Sequence, residues 1–310
     1  MAKRHKPVSG TRGYWPRKRA NRIYQPFTRH LPGRGVLGFA AYKIGMTQVS
    51  FLDSRKGSPT QGKEVFLPAT VLAAPNLVVA GIKAYRRTRE GLKDRGTVWA
   101  QSLAKELARK MVFPKEKSPP PEELSKKGDV FRLLVHTKPG WKKTPELFEV
   151  PVESFEVAQA RLGQEVSAGE IFKEGEFVDV KAVSTGKGVQ GPVKRFGVII
   201  RTRKAKKKRR HVGTLGPKNV ARVRPNVIAE AGQMGFQTRT EFNKQILKIS
   251  SGPLTPKGGW LRVGELDGPY LILRGSVPGP TKRLVMLRKG LRAQPEQKLE
   301  LKQVVLDSQQ

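Results

Sequence analysis

The chain has 310 residues, 37% of them hydrophobic, and its 61 Lys and Arg outnumber 25 Asp and Glu to give a formal charge of +36. That length and apolar content suffice for a folded body, while the charge excess points to a polyanionic partner, nucleic acid first and an anionic membrane surface second. The absence of cysteine excludes disulfides, thiolate zinc sites and a cysteine nucleophile.

The first 52 residues hold eleven Lys or Arg and no acid, Asp53 being the first. The opening "MAKRHKPVSGTRGYWPRKR" has no apolar core of a secretion signal, and no later stretch approaches the roughly 18–20 apolar residues that span a bilayer. A soluble, cytoplasmic chain with a basic N-terminal arm is expected. From residue 53 to 180 the balance is 22 basic to 18 acidic residues, that of an ordinary globular body. "GVLGFAAYKIGMTQVSFLD", "KEVFLPATVLAAP" and "NLVVAGIKAYR" are β-branched and apolar runs bounded by Gly, Pro, Asn and Asp, and each predicts a strand. Leu103, Leu107 and Met111 then repeat at i, i+4 and i+8 until Pro114, which predicts a helix. The segment "PKEKSPPPEELSKKGD" reads as a polar, proline-rich loop. "VFRLLVHT" predicts a strand, and "ESFEVAQARLG" a helix with Phe155, Ala158 and Leu162 on one face and Gly163 as its C-cap. "EFVDVKAVST", "WLRVGEL" and "YLILRGSVP" complete the predicted strands, with "LDGPY" as a turn before the last. Many short strands with turn signals argue a barrel.

Residues 181 to 229 hold fifteen basic residues and again no acid, and Arg201 to Arg210 alone place eight Lys or Arg in ten positions. Such a segment has too few periodic apolar positions to offset its ordering entropy with a core of its own. Self-repulsion keeps it extended in isolation, and it takes shape against a phosphate backbone. Eight phosphate contacts at roughly 0.7 each give a log–log salt slope near 6, so a fourfold rise in salt costs on the order of 5 kcal/mol.

"TGKGVQG" spaces Gly186, Gly188 and Gly191 as in a dinucleotide-binding loop. Pro192 and Gly197 stand where a helix should open, and "KKKRRH" stands where the ribose-binding acid belongs, so these glycines are read as sites of close backbone approach. His5, His30, His136 and His211 lack metal-ligand spacing, and His136 in "RLLVHTK" reads as a core or surface histidine. Glu174, Glu176 and Asp179 read as partners of local Lys rather than paired catalytic carboxylates. No metal, cofactor or small-molecule substrate is expected, and no enzymatic activity. Tyr14, Trp15, Phe196 and Phe236 each sit beside cations; the pattern allows either stacking on unpaired RNA bases or anchoring of the extensions.

"GFAAYKIGMT", "TGKGVQGPVKRFG" (185–197), "AGQMGFQTRTEFNK" (231–244) and "DGPYLILRGSVPGPTKRLV" (267–285) resemble, in this order, the large-subunit ribosomal protein family numbered three, in its archaeal form. The resemblance implies a mainly β fold: a translation-protein-type β-barrel with an α-containing insertion and long basic non-globular extensions. On this basis residues 1–35 form the arm, 36–99, 166–190 and 245–292 the barrel, 100–165 the insertion, 191–244 the central loop and 293–310 a C-terminal tail. The implied partners are large-subunit rRNA and neighbouring large-subunit ribosomal proteins, with an early role in assembly and a loop tip approaching the peptidyl transferase centre. Residues 201–212 would form one limb of the loop, 213–219 its tip and 222–233 the return. The expected rRNA contacts are Arg17, Lys18, Arg19 and Arg22 in the arm; Lys187, Lys194, Arg195, Arg201, Arg203, Lys204, Lys206, Lys207, Lys208, Arg209, Arg210 and His211 in the loop; and Lys218, Arg222, Arg224 and Arg239 at its tip and return. Many family members carry tryptophan where Lys218 stands, so no stacking role is transferred there and Lys218 suits phosphate.

Overall fold

A computed structural model describes residues 14–28, 33, 35–53, 57–114, 119–205, 208–213, 215, 228–292 and 300–307. The chain divides into two compact units, the larger made of residues 23–182 and 240–310 and the smaller of residues 1–22 and 183–239.

The larger unit is mainly β. Its principal sheet contains β1 (Phe39–Leu52), β2 (Glu64–Ala73), β8 (Phe177–Val183), β11 (Thr238–Ser251), β12 (Pro269–Arg274), β13 (Leu284–Lys289) and β14 (Glu300–Val304). The order is β13-β8-β11-β12-β2-β1-β14, and an additional β13–β1 pairing closes six of these strands into a ring. Closure removes the free edges from these six strands, with β14 paired outside the ring to β1. β1 makes it possible by length: its first residues pair with β13, Phe39 opposite Leu287, while its last pair with β14, Val49 opposite Val304. The expected C-terminal tail thus contributes a strand to this sheet.

The second sheet has the order β4-β3-β5-β6, from β3 (Leu77–Thr88), β4 (Gly91–Trp99), β5 (Val130–Thr137) and β6 (Leu147–Pro151), with the short β7 (Glu165–Val166) beside β3. It therefore draws its first two strands from the segment expected in the barrel, because β3 registers along β5 from Leu77 opposite Thr137 to Tyr85 opposite Val130. One hydrophobic cluster includes Phe39, Tyr42, Leu72, Ile246, Leu271 and Leu287 of the ring together with Leu77, Ile82, Leu133 and Val150 of the second sheet. Its tightness is visible at Gly45, where a Cβ would lie 2.6 Å from the Trp260 ring; only glycine lets the indole close over β1 there.

The helix expected near Leu103 is reduced to a 3₁₀ turn at Lys105–Arg109. Only Leu107 of its apolar row is buried, and a helix without a packed face lacks the term that stabilises it. Conversely, α1 (Pro121–Lys127) forms inside the segment read as a loop. Pro121 at the first turn followed by Glu122 and Glu123 is a helix start that complements the backbone dipole. The predicted helix of "ESFEVAQARLG" is present as α2 (Phe155–Ala160), its Ser154 side chain accepting the Val157 N–H. Next comes α3 (Ala168–Ile171), opened by Ser167 and Glu170. "WLRVGEL" is a tight turn rather than a strand, Trp260 and Gly264 exchanging both backbone hydrogen bonds at 2.8 and 2.9 Å.

Three polar residues given structural readings lie in this unit, and the two acids among them take partners far along the chain rather than local Lys. His136 is buried, with Nδ1 3.4 Å from the Thr137 carbonyl. Asp179 is fully buried and receives Nε and Nη2 of Arg288 at 3.1 and 3.0 Å and the N–H groups of Asn243 and Leu291 at 3.1 and 3.2 Å. Glu176 pairs with Lys289 at 3.4 Å.

Candidate nucleic-acid interface

The smaller unit has one short ladder, β9 (Val189–Gln190) against β10 (Gly232–Gln233), extended by Lys187 N–H to Met234 O and Met234 N–H to Gly188 O, each 2.9 Å. The glycine pattern of residues 186–191 is followed by α4 (Pro192–Phe196), a helix that does open after Gly191 but ends within five residues at left-handed Gly197. It is too short to serve as the dinucleotide-binding helix. The close approach expected of the glycines falls chiefly on the return strand: at Gly235, φ is +70° and a Cβ would sit 2.1 Å from the Thr185 carbonyl oxygen.

Arg195 fastens this unit. From α4 its Nε donates to Gln233 O at 3.1 Å, its Nη1 to Glu230 O at 3.0 Å and its Nη2 to Arg17 O at 3.3 Å. Arg17 answers by donating Nη1 to Arg195 O at 2.9 Å. One guanidinium therefore joins the N-terminal arm, the outgoing limb and the return limb, which a planar five-donor group can do and a lysine cannot. The Ala20 N–H adds a bond to Phe236 O at 2.8 Å.

The rings serve the same assembly. Trp15 lies 5.4 Å from Phe196, and the guanidinium of Arg17 stands 4.4 Å from the Phe196 centroid. Arg19 stands 5.4 Å from the Phe236 ring and Arg239 4.4 Å from that of Tyr14. Of the two uses open for these aromatics, anchoring accounts for Trp15, Phe196 and Phe236, whereas Tyr14 keeps an exposed face.

The basic run doubles back on itself rather than running as one straight limb. Arg201 N–H donates to Arg209 O at 3.1 Å, Arg209 Nε returns a bond to Arg201 O at 3.3 Å, and Ala205 N–H to Thr202 O closes a turn between them. This packs Arg201, Arg203, Lys204, Lys208, Arg209 and Arg210 onto a small exposed loop, His211 beside them. Among the described residues of this unit Glu230 is the one acid, and none of the cations forms an ion pair.

The sequence model of the family described as Ribosomal protein L3 matches residues 1–120 and 116–308. The chain belongs to the ribosomal protein L3 family. It is 44% identical over 323 residues to the large ribosomal subunit protein uL3 of Methanothermobacter thermautotrophicus, covering 96% of this chain and 95% of the relative. To the uL3 of Methanosphaera stadtmanae it is 43% identical, with 94% of each chain covered. For that of Nanoarchaeum equitans the identity is 42%, covering 93% of this chain and 92% of the relative.

Within this L3-family chain the cations singled out in the sequence divide into two groups. Arg17, Arg195 and Arg239 have their guanidinium groups engaged inside the unit, Arg239 through Thr238 O and Gln237 Oε1 at 3.0 Å each. Burial, and then the charges of Arg195 and Arg239, lower the pKa of Arg17; burial lowers that of Arg195. Lys18, Arg19, Arg22, Lys187, Lys194, Arg201, Arg203, Lys204, Lys208, Arg209 and Arg210 are exposed. Lys206, Lys207, Lys218, Arg222 and Arg224 lie outside the described residues, as does most of the expected loop tip. Charge counting missed the carbonyls of Glu230 and Gln233 that receive Arg195, since backbone acceptors leave no trace in side-chain composition.

Proposed function

We propose that this chain is a structural, non-enzymatic constituent of the large ribosomal subunit that binds large-subunit rRNA through its smaller unit. The observation that carries this reading is the concentration of eleven exposed cations on a unit whose described residues include a single acid. Membership of the L3 family supports it. Arg17, Arg195 and Arg239 brace the arm against the two limbs, and the exposed cations meet phosphates, each contact releasing condensed counterions. Lys206, Lys207, His211, Lys218, Arg222 and Arg224 extend the same contact, and the loop runs toward the peptidyl transferase centre. Neutralising phosphate repulsion in this way lets rRNA helices pack early in assembly, beside neighbouring ribosomal proteins, in the cytoplasmic ribosome.

The test is sedimentation of a lysate through a magnesium-containing gradient, with the chain followed by antibody and the run repeated at raised salt. Co-migration with the large subunit at moderate salt is expected. Recovery on DNA, or at the top of the gradient, would refute the reading.

A further inference from the structure

The hairpin that joins β3 to β4 carries a second set of cations, in the larger unit and outside both acid-free segments of the sequence. β5 covers β3 only as far as Tyr85 opposite Val130. Beyond that point β3 and β4 pair with each other alone, Arg86 opposite Lys93, Arg87 opposite Leu92 and Thr88 opposite Gly91. All ten residues from Arg86 to Arg95 are exposed, so the ribbon rests on no core of its own. A free two-stranded ribbon is at best marginally stable, and this one adds a penalty: directly opposed residues share a face with Cβ atoms about 5 Å apart, where like charges repel.

Arg86 and Lys93 are such a pair, and neither they nor Arg87, Arg89 and Arg95 form an ion pair among the described residues. The acids nearby are committed elsewhere. Asp94 pairs with Lys83 at 2.8 Å and accepts Gly96 N–H, while Asp129 accepts the backbone N–H of Arg87 at 3.1 Å. Glu90 alone remains against five cations. Leu92, 43% exposed, adds an apolar spot on the Arg87 face.

We propose that the β3–β4 ribbon is a second RNA-docking element, with the Arg86, Arg89 and Lys93 side chains clasping the phosphates that border a shallow RNA groove. A two-stranded ribbon with both faces exposed is thin enough to lie along a groove, and RNA helices are read chiefly through shape, phosphates and 2′-hydroxyls. An anion held over Arg86 and Lys93 turns their repulsion into attraction. The choice of RNA rests on the rRNA-binding reading, and the experiment keeps the two separable.

The natural chain has no cysteine, so a single Glu90→Cys carries one iron chelate at the ribbon and a single Thr202→Cys carries one at the basic loop. Each full-length protein is incorporated into large subunits and hydroxyl-radical cleavage of the rRNA is mapped. Discrete cleavage from Cys at position 90 is expected. Alongside, Arg86→Gln, Arg89→Gln and Lys93→Gln together should lower the salt slope of rRNA binding by about 2 and weaken binding on the order of 100-fold at 0.1 M salt, with an unchanged melting curve. Silence from the ribbon with cleavage from the loop overturns the ribbon proposal and leaves the rRNA reading standing. Cleavage of a neighbouring protein instead of RNA also overturns it, making the occupant an acidic protein. Silence from both probes overturns the rRNA reading and the ribbon proposal with it.

Discussion

Replacing Arg195 with alanine should unlatch the smaller unit without unfolding the larger one. The side chain supplies three charge-assisted hydrogen bonds, to Gln233 O, Glu230 O and Arg17 O. Bonds to charged groups contribute about 1.5–3 kcal/mol each when shielded. Arg195 is only half-buried, so water takes over part of that and a loss of about 2–4 kcal/mol in local stability is expected. The readout is amide hydrogen exchange at Lys187, Met234 and Ala20, whose N–H groups bond across the three segments that Arg195 joins. A change of that size in local opening free energy accelerates their exchange roughly 30- to 800-fold. Lys194→Ala, one residue away and exposed, should leave those rates unchanged while lowering the salt slope for rRNA by about 0.7. Equal exchange in the two variants, or no acceleration in Arg195→Ala, would refute the assignment of Arg195 as a fastener and return it to the RNA-contact group.

Asp179→Ala should destabilise the larger unit by about 3–5 kcal/mol, because it strands the buried Arg288 and the N–H groups of Asn243 and Leu291. Urea denaturation checks this, and joint replacement by Asp179→Leu and Arg288→Met should cost less than the sum of the single changes. Gly235→Ala forces a Cβ into the Thr185 carbonyl at a left-handed φ, so exchange protection of the Lys187 and Met234 amides should collapse while the ring strands keep theirs. Burial lowers the pKa of His136, so the unfolded chain takes up its proton first as pH falls. That contribution to stability is complete above about pH 6.5 and is lost as pH falls from there toward the depressed folded value. In His136→Gln that part of the stability–pH curve should be missing, as measured by denaturant midpoints between pH 7 and 4.

Apolar runs with flanking breakers were enough to read β1, β2, β3, β5, β8 and β12, since a strand buried on one or both faces shows its period locally. β11 was not legible as a strand. Its Thr238–Ser251 sequence alternates polar with polar for half its length, and its place between β8 and β12 is decided by partners far away in sequence. The helix expected near Leu103 shows the converse: its periodicity was present, but only Leu107 of the row is buried. In the interface, charge segregation located the cations but was blind to their roles. Lys194 and Arg195 are adjacent and equally basic; one faces solvent while the other is spent on three carbonyls.

By itself the sequence determined the mainly β character, the two acid-free segments and the polyanionic partner they imply, because apolar period and net charge are sums over neighbouring residues. Only the tertiary structure decided that β13 returns to β1 and closes the ring, that the second sheet begins at Leu77, and that Arg17, Arg195 and Arg239 look inward. Each of these depends on a contact between residues far apart along the chain, whose geometry no local pattern encodes.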